Sequence, residues 1–241
     1  MILIAVATSI GGVGIPLLTE NYVKGDFRAA GKLVQDNLTM LVAFLLPATI
    51  GAVAIAEPLY TVFYGKPDSL ALGLFILAML QTVILGLYTV LSPMIQALFQ
   101  NRKAILYFGY GVLVKLILQV PFIYFFKAYG PLLSTTIGLM IPIVLMYKEI
   151  HLVTQFNRKN VFKRSLLTAI LTLIMLLVVL VAGLILGLVI KPNGRVTSML
   201  YVALIGGVGI VVYGGLGLRL RFLDRFIGSK AASLRNKFHI S

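Results

Sequence analysis

The chain has 241 residues, of which 60% are hydrophobic and 12% charged, with 21 Lys and Arg against 7 Asp and Glu. Soluble domains run at about 45–50% apolar and about 25% charged, so this composition excludes an ordinary soluble fold and predicts an all-α polytopic membrane protein. The absence of cysteine excludes disulfides, thiolate zinc sites and cysteine nucleophiles. The net charge of +14 sits in short loops between apolar runs, which points to orientation in a bilayer and away from a nucleic-acid partner.

Crossing the hydrocarbon core takes about 20 helical residues, and cutting the chain where charged and turn residues cluster predicts seven spans. They cover about 1–18, 38–64, 70–99, 104–126, 129–147, 165–190 and 197–218. None shows the sustained two-residue alternation of a transmembrane barrel strand. Between the first two, Asp26 is placed to cap a helix whose Phe27, Ala30, Leu33 and Val34 share one side. That pattern predicts a short helix lying on the membrane surface. In the tail, 219–241, Leu223, Phe226, Ile227, Ala231, Leu234 and Phe238 recur at three- and four-residue spacing among basic residues, predicting a basic amphipathic helix on an anionic leaflet.

Lys and Arg in alternate loops number sixteen on one side of the predicted membrane and four on the other, with Lys115 alone inside a span. This bias predicts that the tail and the basic loop 151–164 are cytoplasmic and the N-terminus is outside. An outward start that enters a span almost at once reads as the rear part of a longer chain, preceded by an odd number of helices.

An ionisable residue at membrane depth costs about 2.5–3.5 kcal/mol on insertion scales. Lys115 lies halfway along the fourth span and shares a face with Tyr107, Gly111 and Gln119. A cation there suits an anionic group such as a phosphate in a cavity; pairing with a carboxylate or snorkelling is the structural alternative. The third span carries a neutral stripe of Gln81, Tyr88, Ser92 and Gln96, fitted either to a sugar or headgroup or to bonds between helices. Glu57 precedes Pro58 near the outer end of the second span and is the one candidate for ion coupling, with a hydrated structural role as its alternative. Prolines 16, 47, 93, 121 and 142 interrupt helices, as in transporters. Gly183 and Gly187, with the glycines of the last span, predict a close final helix pair. No acid–base pair, metal-ligand cluster or phosphate-cradling loop occurs, so no enzyme activity and no cofactor is expected.

Several stretches together resemble the MOP exporter superfamily. They are Ala7–Thr8–Ser9–Ile10, Pro16–Leu17–Leu18–Thr19–Glu20 with Lys24–Gly25–Asp26, LLPATIGAVAIAEPLYTVFYG (45–65), IQALFQNRK (95–103) and VKLILQVPFIYFFKAYGPLLSTTIGLMI (114–141). More narrowly they look like the polysaccharide transporters related to stage V sporulation protein B, which include lipid II flippases. The resemblance implies two six-helix lobes around a central cavity plus a final pair, fourteen helices, of which this chain would hold the eighth to the fourteenth. Residues 1–150 would form five helices of the C-terminal lobe and 165–218 the added pair. It implies membrane transport by flipping of a lipid-linked oligosaccharide or peptidoglycan precursor, with the bilayer, a lipid-linked diphosphate and a separately encoded N-terminal lobe as partners. Lys115 would be the cavity cation, with Gln81, Ser92, Gln96 and Gln119 as sugar or headgroup contacts. The rivals are a multidrug or cation antiporter of the same superfamily, which would use Glu57, and a non-transporting membrane subunit.

Overall fold

The computed structural model describes residues 2–189 and 194–219. The expected tail helix from Leu223 to Phe238 and the turn at 191–193 lie outside the described residues. Among the described residues every regular element is helical: α1 (Ile2–Val13), α2 (Ile15–Val23), α3 (Phe27–Ala54), α4 (Ala56–Tyr64), α5 (Ser69–Ala97), α6 (Asn101–Phe126), a 3-10 turn at Lys127–Tyr129, α7 (Gly130–Thr154), α8 (Arg158–Val189) and α9 (Arg195–Arg219).

Among the described residues five stretches are long and apolar enough to cross a membrane: Phe27–Ala54, Ser69–Ala97, Asn101–Thr154, Arg158–Leu188 and Arg195–Leu218. The third holds both α6 and α7. The first predicted span is instead broken at Gly14 into helices of 12 and 9 residues, each shorter than the bilayer core requires. Apolar side chains left uncovered by protein fit a lipid solvent. On α6, Ile105, Ile117 and Val120 are each more than 70% exposed, which water would penalise and acyl chains do not.

Three helices begin on side-chain caps that relieve their first unpaired N–H groups. The Ala29 amide donates to Asp26 Oδ1 at 2.9 Å at the start of α3, Ala71 to Asp68 Oδ1 at 2.6 Å in α5, and Asn160 to Asn157 Oδ1 at 3.1 Å in α8. Gly25 and Gly65, at φ +77° and +90°, supply the left-handed turns just before the first two of these caps.

Two expectations are corrected. The segment from Phe27 is no separate surface helix: it is the first turns of α3, and its Ala30 and Val34 are fully buried. An apolar stripe fits a protein core as well as it fits a membrane surface, and here the protein takes it. The basic segment 151–164 is helical except at residues 155–157, because α7 and α8 carry their charged ends beyond the apolar stretch.

The described chain divides into two compact units, one of residues 1–45 and 73–166, the other of 46–72 and from 167 onward. In the first, Leu18, Leu41, Leu91, Met94, Met146 and Ile150 are essentially inaccessible and centre one core from α2, α3, α5 and α7. In the second, Met175 and Val179 of α8 pack with Ile205 of α9, and α4 packs on α9. Here the predicted close pair forms. The Tyr201 hydroxyl donates to the Gly183 carbonyl at 3.0 Å, and a Cβ on Gly209 would stand 3.3 Å from Val179. Gly187, Gly206 and Gly207 face open space, so two glycines of the series make the approach.

Candidate cavity site on the α6–α7 hairpin

Helices α6 and α7 are joined by the three-residue 3-10 turn and pack along each other as an antiparallel hairpin. Gly111 of α6 and Gly138 of α7 form a close crossing. A Cβ on Gly138 would lie 2.8 Å from the Gly111 carbonyl oxygen and 2.8 Å from Lys115 Cβ. Only hydrogen at both positions permits this backbone approach, the arrangement that small residues give packed helices in membranes.

Lys115 stands one turn beyond this crossing. It lines a cavity of about 110 Å³ with Phe108, Gly111, Thr135, Leu139 and Pro142. It is half-buried and forms no ion pair or hydrogen bond among the described residues. The polar stripe of α6 therefore faces protein and a small cavity, with no carboxylate holding the ammonium. Gln119, one turn further, is half-buried and also makes no side-chain hydrogen bond among the described residues.

The stripe on α5 divides. Gln81 Nε2 donates to the Leu132 carbonyl at 3.4 Å, linking α5 to α7. The Tyr88 ring lies 5.8 Å from that of Phe108, centroid to centroid, and so reaches the wall of the Lys115 cavity. Gln96 Nε2 donates to Ser92 Oγ at 3.3 Å within α5 itself. Glu57 belongs to the second unit, exposed in the first turn of α4.

One polar cluster was missed from sequence. Toward the predicted cytoplasmic end of the hairpin, Lys103 Nζ donates to Glu149 Oε1 at 2.6 Å and the Tyr107 hydroxyl to Glu149 Oε2 at 3.1 Å. The Glu149 side chain is 9% exposed. In sequence neither stands out, because Lys103 adjoins Arg102 and Glu149 adjoins Lys148 at the charged ends of apolar runs. Their places toward the far ends of the two arms of one helical hairpin were the signal that could have paired them.

No protein-family model matches the chain. It is 29% identical over 235 residues to the lipid II flippase MurJ of Bacillus subtilis (strain 168), a likeness covering 95% of this chain and 43% of the relative. A solved structure of "Lipid II flippase MurJ, inward closed conformation" matches with a TM-score of 0.63 at 21% identity, over 92% of this chain and 43% of that one. The chain thus spans less than half the length of the relatives it matches, and it shares their all-helical fold over nearly all of its own length.

Proposed function

We propose that this chain forms part of a multi-pass membrane transporter that flips a lipid-linked oligosaccharide or peptidoglycan precursor for cell-wall or polysaccharide biosynthesis. The observation that carries this reading is Lys115, a cation on a predicted span that lines a cavity and is paired with no carboxylate among the described residues. An unpaired ammonium in that setting is costly unless water or an anionic ligand solvates it. A diphosphate linking sugar to lipid is such an anion. The likeness to MurJ, whose name specifies lipid II, supports the same substrate class.

In this reading residues 1–150 supply the partial C-terminal lobe and 165–218 the added helix pair. A separately encoded N-terminal lobe completes the cavity, the N-terminus faces outward and the tail is cytoplasmic. Gln119 is free to donate to a sugar or headgroup. Gln81 and the Ser92–Gln96 pair already bond within the protein, and structural roles suit them better. The antiporter alternative leans on Glu57, whose exposed place in the first turn of α4 suits stabilisation of a helix start.

The test is precursor translocation in cells carrying Lys115→Ala in the gene's own genomic context, with any separately encoded lobe present. The expected result is loss of translocation with the protein inserted at its usual level, and partial retention in Lys115→Arg. Normal translocation by Lys115→Ala would remove Lys115 from the site.

A further inference from the structure

A second cavity of the first unit lies away from Lys115, where the start of α3 meets the link between α7 and α8. It measures about 350 Å³ and is lined by Arg28, Lys32 and Gln35 of α3 and by Thr154, Gln155 and Asn157 of that link, with Phe27 beside them. That volume is within the roughly 300–1,000 Å³ of small-ligand sites. Its width is set by backbone contact, since a Cβ on Gly31 would stand 2.7 Å from the Thr154 carbonyl oxygen.

The chemistry of the lining is one-sided. Arg28 and Lys32 are exposed and make no ion pair or hydrogen bond among the described residues. No carboxylate lines the cavity. The two acids nearest in sequence are engaged elsewhere: Asp26 caps α3 and Asp36 accepts from Arg164 at 3.0 Å. Gln35 is only 9% exposed, yet its side-chain amide has no hydrogen-bond partner among the described residues. Its amide is open to the cavity and can donate to or accept from a ligand there. Asn157 spends its oxygen on the Asn160 amide and keeps its NH₂ group to donate.

We propose that this cavity binds a phosphate-bearing anion, through the charges of Arg28 and Lys32 and the amides of Gln35 and Asn157. Two sources share that chemistry, the headgroup of an anionic lipid and free phosphate. The half-exposed ring of Phe27 and the position at the end of membrane-crossing helices favour the lipid, because anionic headgroups lie at that level. The proposal is independent of the transport reading, which concerns Lys115.

The full chain, purified in neutral detergent, is titrated with phosphatidylglycerol and, as control, phosphatidylcholine, and retained lipid is counted by native mass spectrometry. Inorganic phosphate is titrated separately against the thermal unfolding midpoint. Preferential retention of phosphatidylglycerol assigns a headgroup site, and stabilisation by inorganic phosphate alone assigns a free-anion site. In either case the Arg28→Ala/Lys32→Ala variant is expected to weaken binding about 25-fold, roughly fivefold per cation, and Gln35→Ala to weaken it as well. Lys24→Ala, which removes a nearby cation paired with Glu20 at 2.5 Å, is expected to leave binding unchanged. Far-UV circular dichroism checks the fold, and if the double variant loses helix the single Arg28→Gln and Lys32→Gln variants carry the comparison. Binding no stronger than to phosphatidylcholine with no phosphate effect overturns the proposal. So does equal binding by the double variant, or an equal loss in Lys24→Ala.

Discussion

Lys103 of α6 and Glu149 of α7, 46 residues apart in sequence, form a 2.6 Å ion pair across the hairpin, with the carboxylate side chain 9% exposed and the ammonium side chain 46% exposed. The asymmetry fixes what each substitution does. Lys103→Met strands a buried carboxylate with one remaining donor, Tyr107, and is expected to lower the unfolding temperature in detergent more than Tyr107→Phe, which removes one hydrogen bond worth about 1 kcal/mol. Lys103→Met/Glu149→Met removes both charges and is expected to recover part of that loss, since apolar replacement of a buried pair costs less than breaking it. A double variant less stable than Lys103→Met would show that the pair holds the hairpin by more than mutual compensation.

The crossing of Gly111 and Gly138 makes a second prediction. Gly138→Ala places a methyl group 2.8 Å from both the Gly111 carbonyl oxygen and Lys115 Cβ, so the helices must part, at about 1–3 kcal/mol. Gly109→Ala, where a Cβ meets nothing within 4 Å, is expected to be neutral or slightly stabilising. Thermal unfolding of the two variants side by side separates steric contact from the general effect of filling a helical glycine.

Apolar runs and their interrupting charges placed the helices in the sequence, because the bilayer imposes the length of each. Their ends were less legible. Lys148, Arg158 and Lys163 mark where the membrane stops, yet the hydrogen-bonded backbone continues past them, so α7 reaches Thr154 and α8 starts at Arg158. Ala30 and Val34 showed an apolar face without showing what covers it, and the covering surface is the core of the first unit. For the site, the four-residue spacing from Tyr107 to Gln119 identified the face of α6 that turns to protein. Glu149 stayed hidden because its partner is set by the fold of the hairpin and no local spacing encodes it.

In the second unit Thr49 is fully buried and its hydroxyl has no hydrogen-bond partner among the described residues. Valine has the same shape without the polar atom. Thr49→Val is therefore expected to raise stability by up to about 1 kcal/mol, the unsatisfied hydroxyl being the group removed. A clear loss of stability on thermal unfolding would mean that the hydroxyl makes a favourable interaction in the membrane.

The transport role proposed for Lys115 requires its cavity to open to water, and the absence of cysteine allows single-thiol labelling to test this. Lys115→Cys and Ile117→Cys are made separately and treated in native membranes with a charged, water-soluble methanethiosulfonate. Ile117 is 71% exposed on the outer face of α6, where lipid excludes both water and the reagent. Rapid modification of the thiol at position 115 and none at position 117 is the expected result. A position 115 as unreactive as position 117 would contradict it, placing Lys115 in a dry interface and leaving the α6–α7 hairpin a structural element.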